Sequence, residues 1–438
     1  MNTSEILAGE LEDIRTPVPG PRSRELTPTL RSFESRNVTF VDRDFPIFWE
    51  SASGANVTDV DGNRYIDLTG AFGVANAGHS NPYVAAAIHD QAVRLMHGMG
   101  DVHPTEVKVQ LLETLARITP GGLGKTFLAS TGAEAVEAAL KTAMLATGKF
   151  GFAAYRGAYH GLSLGTLAVS GIEKFREPFS KFVPQQTLFL DYPRANPLAA
   201  DEGAAPALDD VKRALSARGD IAALIIEPLQ GRGGCIVPPK GYLKGLREIC
   251  DSLGMLLIFD EIYTGFGRTG TLFACEHEDV VPDILCIGKA MANGFPISAT
   301  IARPTIMDVW PESPGEALHT STYLGNPMAC AAALANLGEI ERMQLPQRAR
   351  QLGIMLGARL DALRADGKAL EVRGRGLMWG IEFADAAAAE RIVKDALKAG
   401  VILLQAGPQG NVISITPPLV ISQRQLFRAM DVITACIK

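Results

Sequence analysis

The chain is poor in cysteine. Six are spread over 438 residues, at 235, 250, 275, 286, 330 and 436, and none forms a Cys-x-x-Cys pair. This is not the framework of a secreted disulfide scaffold; the thiols read as small buried hydrophobes in a reducing compartment, so a cytoplasmic location is expected. Long hydrophobic runs are also missing. The longest apolar stretches, at 221–226 and 255–259, fall far short of the ~18–20 residues of a membrane span. The start, MNTSEILAGELEDIR, lacks the basic and apolar regions of a signal peptide. No block of positive charge stands out: 42 Lys and Arg against 48 Asp and Glu leave a net charge of −6. Neither a nucleic-acid surface nor an anionic membrane is indicated as a partner. No repeat or low-complexity tract is present, and no metal site is expected. What the chain does have is a globular balance, 47% hydrophobic and 21% charged. At ~150 residues per domain its length suggests two to three domains.

The first ~45 residues are polar and broken by prolines, and read as an extended arm or capping segment. From Gly54, alternating residues around Asp61-Gly62 predict a β-hairpin. Helical periodicity follows at 82–97 and 105–118, and an Ala-rich helix at 133–146. Short apolar runs predict strands at 125–129, 151–155, 222–227, 256–260 and 284–288, with a helix at 242–253 between two of them. Such alternation implies a mostly parallel sheet covered on both faces. Residues 192–207 read as a surface connection, a long helix starts in 326–342, and a domain boundary is expected near 335.

Four local features bear on chemistry. Thr131-Gly132-Ala133 opens a helix after a strand, where free N–H groups and the dipole favour a phosphate; the plain alternative is an ordinary N-cap. Asp260 ends an apolar strand, where parallel sheets bind ligands, unless it is a cap or a structural ion pair. Lys289 follows another buried strand beside a Gly turn. Most lysines are solvated surface groups, but one placed here could form a Schiff base. Tyr159-His160 follows a third strand, and the tyrosine could stack on a flat ring or simply fill the core. Together these are the parts that pyridoxal phosphate needs: a lysine for the carbonyl, an acid for the ring nitrogen, a phosphate cradle and a stacking aromatic.

On these residues the chain resembles the class III, or ω-type, aminotransferases of fold type I. The resemblance runs from VTDVDGNRYIDLTGAFGVANAGHSNP through ASTGAEAVEAALKTA, IIEPLQGRGGCIVPPKGYL, LIFDEIYTGFGRTG and PDILCIGKAMANGFPISA to STYLGNPMACAAALA and VRGRGLMWGIEF. It implies an α/β fold with a large cofactor domain around a mostly parallel sheet, and a smaller α/β domain built from both chain ends. The divisions expected are 1–75, 76–334 and 335–438. It implies pyridoxal phosphate as cofactor, with Lys289 as the Schiff-base lysine and Asp260 as the pyridinium partner. Thr131, Gly132 and Ala133 would hold the phosphate, and Tyr159 and His160 would lie at the ring. Glu227 and Tyr263 would lie near the cofactor, and Phe72 near the substrate. Thr322 is similar to the threonine that reaches the phosphate of a neighbouring subunit, which implies a homodimer with shared active sites.

The departures concern the substrate. Tyr263 stands where amino-acid-using branches commonly have Gln. Ser414 stands where the family's carboxylate-binding Arg is expected, and Leu162 where acetylornithine-type enzymes often have Arg. Arg232 stands where an acid is common. PGPRSREL near the start is similar to bacterial 4-aminobutyrate aminotransferases, but the substrate-side motifs are not. The expected activity is a ping-pong transamination from a terminal or non-α amine to a keto acid or aldehyde, with Arg232 a candidate for the acceptor carboxylate. The alternatives are a racemase or epimerase on the same fold, or a catalytically silent homologue.

Overall fold

The computed structural model describes residue 7, residues 9–195 and residues 203–437. Its centre is a seven-stranded sheet. The strands are β1 (Lys125–Ala129), β2 (Gly151–Tyr155), β3 (Thr187–Leu190), β4 (Ile221–Ile226), β5 (Leu256–Asp260), β6 (Ile284–Ile287) and β7 (Ser298–Ala302). They lie in the order β1-β7-β6-β5-β4-β2-β3. β2 through β6 pair in parallel, and β7 runs antiparallel to both of its neighbours, β6 and β1. Every residue of β2, β4, β6 and β7 is buried. Helices cover both faces, which is why β2, β4 and β6 are continuous apolar runs and not alternating ones.

β3 and β7 were not expected from sequence. β7 reads SATIA, too small and too polar for a hydrophobic run. Its hydroxyls have partners inside: Ser298 Oγ donates to the Thr131 carbonyl at 2.6 Å, and Thr300 Oγ1 to that of Ala135 at 2.5 Å. These bonds fasten the first turn of the helix Gly132–Thr147 to the sheet, next to its edge strand β1. That helix begins with a capping box, Thr131 accepting from the Glu134 N–H and Glu134 returning the bond.

Both chain ends contribute to the smaller sheets. The predicted hairpin forms from Asn56–Asp59 and Arg64–Asp67, and the second of these pairs in parallel with Val401–Ile402. A further antiparallel sheet joins Glu371–Arg375, Met378–Glu382, Val412–Ile415 and Leu404–Ala406. The polar N-terminal segment is more ordered than an extended arm: Pro21–Phe33 is helical. The hairpin turn holds it, since Asp61 accepts from the Arg22 and Ser23 N–H groups and the Ser23 hydroxyl. Residues 196–202 of the expected surface connection lie outside the described residues, and a helix starts at Ala205. The helix Pro327–Arg342 runs unbroken through residue 335, and Asn326 caps it. No described helix is long and apolar enough to cross a membrane.

Candidate active site

The carboxyl ends of β2, β4, β5 and β6 converge, as ligand sites in parallel sheets do. They open into a cavity of about 510 Å³ whose lining includes Gly132, Ala133, Tyr159, His160, Glu227, Asp260, Tyr263 and Lys289. Eight of the twelve expected site residues are therefore on its floor or sides. Phe72 and Arg232 stand on its outer wall. Thr131 and Thr322 are exposed and lie outside the lining.

Lys289 follows β6 through Gly288 and adopts a left-handed backbone, φ 44°. A lysine in that region is strained, and such strain is retained where the surroundings fix it. Its Nζ sits 4.2 Å from the centre of the Tyr263 ring and has no hydrogen bond or ion pair among the described residues. Burial holds its pKa below an ordinary lysine's, while Asp260 and Glu227 pull it back up.

Asp260, at the end of β5, is buried. Its Oδ2 is 2.7 Å from His160 Nδ1, and its Oδ1 accepts from the Ile262 N–H at 3.0 Å. A carboxylate only accepts, so the Nδ1 proton lies on the histidine. The other ring nitrogen, Nε2, is buried with no partner among the described residues. Glu227, just past β4, spans two loops: Oε1 accepts from the Tyr159 N–H at 3.0 Å and Oε2 from the Gly231 N–H at 2.8 Å. Burial raises its pKa, opposed by His160 and by those two N–H groups.

Tyr263 fits only because its neighbours are glycines. A Cβ at Gly73 would lie 2.2 Å from Tyr263 Cε2, and one at Gly231 would lie 2.4 Å from Cδ1. The Tyr263 hydroxyl is 3.1 Å from Thr416 Oγ1. Arg232 is exposed. Its Nη1 donates to the Gln405 carbonyl at 2.9 Å, and it makes no ion pair among the described residues. The surface pairing with an acid that would make it merely structural is thus not formed. Phe72 sits at the rim with φ 64° and is mostly exposed.

Sequence reasoning did not find Leu404, Gln405 and Ala406, which also line the cavity. They come from a three-residue strand more than a hundred residues beyond Lys289, and nothing local marks them. The Thr131 hydroxyl, which sequence reasoning assigned to a phosphate, accepts from the Glu134 N–H at 3.2 Å as the helix cap.

The residues present suit pyridoxal phosphate. The N–H groups of Gly132 and Ala133 begin a helix and have no carbonyl of their own helix to bond. A Cβ at Gly132 would lie 3.0 Å from Ile262 Cδ1, so glycine keeps that helix start open. An unpaired lysine amine, a buried carboxylate with its histidine, and this cradle share one cavity. No cluster of three or more metal-ligating side chains occurs among the described residues.

Fold and site together define a fold type I transferase of the pyridoxal-phosphate kind. A family model, aminotransferase class-III, matches residues 39–437, and the chain belongs to that family. Among solved structures, it is similar to an amine transaminase from an uncultivated Pseudomonas species, solved with pyridoxal phosphate bound. The two share 32% identity over 92% of this chain and 98% of that one, with a TM-score of 0.85. The ornithine aminotransferase of Toxoplasma gondii ME49 is 31% identical over 95% of this chain and 94% of its own, TM-score 0.83. A transaminase from the marine bacterium Virgibacillus is 28% identical over 94% and 98%, TM-score 0.88.

Proposed function

We propose that this enzyme moves an amino group from a terminal or other non-α amine to a small keto acid or aldehyde, in two half-reactions of a ping-pong cycle. One observation carries the reading. The floor of the cavity gathers Lys289, Asp260, His160, Glu227 and the Gly132–Ala133 helix start, while its outer wall is mainly apolar with a single guanidinium, Arg232. A donor with an α-carboxylate would set its charge against Ser414, which is buried and neutral.

Pyridoxal phosphate, when bound, supplies an aldehyde that condenses with amines and a ring that accepts the electron pair left after Cα loses a proton. The protein supplies the rest. Lys289 Nζ would bond the cofactor at rest and carry the proton between carbon atoms in turnover; burial lowers its pKa from an ordinary lysine's. Asp260 would keep the ring nitrogen protonated, and His160 holds Asp260 in place. The Gly132 and Ala133 N–H groups would bind the phosphate. Tyr159, its backbone fixed by Glu227, would hold the ring, and Tyr263 backs the lysine. Arg232 needs only to exchange one neutral carbonyl for an acceptor carboxylate. Thr322, exposed and outside the lining of its own cavity, would reach the phosphate held by a second copy, and the working unit would then be a homodimer. With six cysteines, all buried, that dimer belongs in the cytoplasm.

The test is a panel of amines against pyruvate, 2-oxoglutarate and an aldehyde. Stoichiometric keto-product from non-α amines is expected. Racemisation of an amino acid with no keto acid released would overturn transamination.

A further inference from the structure

The strained turn at Lys289 is held by a side chain that does not line the cavity. Lys289, at φ 44°, opens the turn, and Asn293 near its end is also left-handed, φ 52°. Ala290 and Met291, the two residues after the lysine, are buried, and their carbonyls accept from no main-chain N–H among the described residues. Both accept instead from one amide. Asn336 Nδ2, on the helix Pro327–Arg342, donates to the Ala290 carbonyl at 2.6 Å and to that of Met291 at 3.2 Å. Carbonyls only accept, so the NH2 end of the amide faces them. The far end of the turn is tied in a similar way. Asn293 Oδ1 accepts from the Ala77 N–H at 2.9 Å, and its Nδ2 donates to the Gly78 carbonyl at 2.7 Å. With buried β6 leading into it, the lysine's backbone is fixed before and after.

Asn336 is an unfavourable way to fill its place. It is fully buried, and its Oδ1 has no partner among the described residues. Ala332, Ala333, Leu337 and Ile340 near it on the helix are buried and apolar. A leucine of similar size would leave no oxygen unpaired, so packing alone does not account for the amide. We propose that Asn336 is a positioning residue: by holding the two peptide units after Lys289, it keeps the left-handed backbone from which the lysine lines the cavity. The inference rests on Lys289 as the lysine that bonds the cofactor.

Asn336→Leu in the full chain tests it. Two forms of the cofactor separate positioning from packing: pyridoxal phosphate needs the lysine, and pyridoxamine phosphate, which has no aldehyde, does not. In titrations of the cofactor-free protein, the apparent Kd for pyridoxal phosphate, read by absorbance, is expected to rise about 10-fold or more, because fewer molecules hold the lysine ready. The calorimetric Kd for pyridoxamine phosphate should change by less than about 3-fold. In the loaded enzyme kcat should fall about 10- to 100-fold in both half-reactions, with KM for amine and keto acid nearly unchanged. Asn336→Ser, whose hydroxyl can bond within its own helix, carries the same test if the leucine variant does not fold. Equal losses of affinity for both forms of the cofactor, or no loss for either, overturn the positioning role alone. Cofactor that borohydride fixes at a lysine other than Lys289 in the unaltered protein overturns the reading on which it rests instead.

Discussion

The floor and the outer wall of the one cavity are built by different rules. The floor is set on rigid strand ends, and its polar groups hold one another: Asp260 to His160, Glu227 to two main-chain N–H groups. The wall gathers Phe72, Arg232, Leu404–Ala406 and Ser414 from segments far apart in the chain. Its one cation is tied to nothing stronger than a carbonyl. Preorganised charge on the floor suits chemistry that does not change from substrate to substrate. A wall of apolar side chains and neutral hydroxyls is where substrate choice changes without disturbing that chemistry. Substitutions in the floor should therefore stop both half-reactions, and substitutions in the wall should separate them.

Lys289→Ala should give the largest effect, a loss of about 10³-fold or more in both half-reactions. The protein should also lose the visible absorbance of the lysine-bound cofactor. Normal colour that borohydride fixes at another lysine would move the Schiff base elsewhere. The depressed pKa adds a signature in the cofactor-free protein: Lys289 should react with trinitrobenzenesulfonate at lower pH than ordinary lysines. Because the unfolded chain takes up that proton first, Lys289 should also lower stability as pH falls from the ordinary lysine pKa towards its depressed folded one, with no further loss below it. A Lys289→Met variant should show a flatter pH profile there.

Asp260→Asn comes next. It keeps the shape and removes the charge that favours a protonated ring nitrogen. The proton-transfer rate should fall by about 100-fold or more, ~2.7 kcal/mol, in both directions. Folding should survive, because His160 has a second nitrogen without a partner among the described residues and can change tautomer to suit the amide. Single-turnover absorbance measures the rate, and near-normal values would make Asp260 structural only.

The same division explains what the sequence disclosed. Lys289 and Asp260 each end an apolar run, so strand, strand end and polar group are read within a few residues. Four expected elements, at 125–129, 151–155, 242–253 and 256–260, have the observed bounds. β7 was hidden because its small residues answer to a helix turn more than 160 residues away. Leu404–Ala406 was hidden for a similar reason: its place at the cavity depends on pairing with Val412–Ile415 and on the Arg232 contact. The absence of a carboxylate-binding Arg at Ser414 was visible, but the hydrogen bond between Tyr263 and Thr416 required their folded positions.

Arg232→Ala sharpens the comparison from the wall side. The apparent KM for keto acids should rise about 10- to 100-fold, ~1.4–2.7 kcal/mol, as a charge-assisted contact is lost. The half-reaction with an uncharged amine donor should change little, since Arg232 is held only by the Gln405 carbonyl and supports no buried charge. Equal losses in both half-reactions would mean that Arg232 braces the loop after Glu227. Its own carbonyl accepts from the Gly407 N–H at 2.9 Å, and that bond survives the substitution, which makes the bracing outcome less expected.

The smallest effect is expected at Thr131, which borders the floor without belonging to the cavity lining. Its hydroxyl accepts from the Glu134 N–H as the helix cap, and the phosphate contacts are assigned to main-chain N–H groups that no side-chain change removes. Thr131→Ala should therefore cost the cap alone, ~1 kcal/mol of stability. Glu134 softens even that loss, because its carboxylate still accepts from the residue 130 and 131 N–H groups, at 2.7 and 3.2 Å. Cofactor affinity, read by absorbance titration of the cofactor-free protein, should fall by less than about 3-fold. A loss of 10-fold or more with stability unchanged would show the reverse: the hydroxyl leaves the cap for the phosphate, and the floor extends one residue further than its lining in this structure.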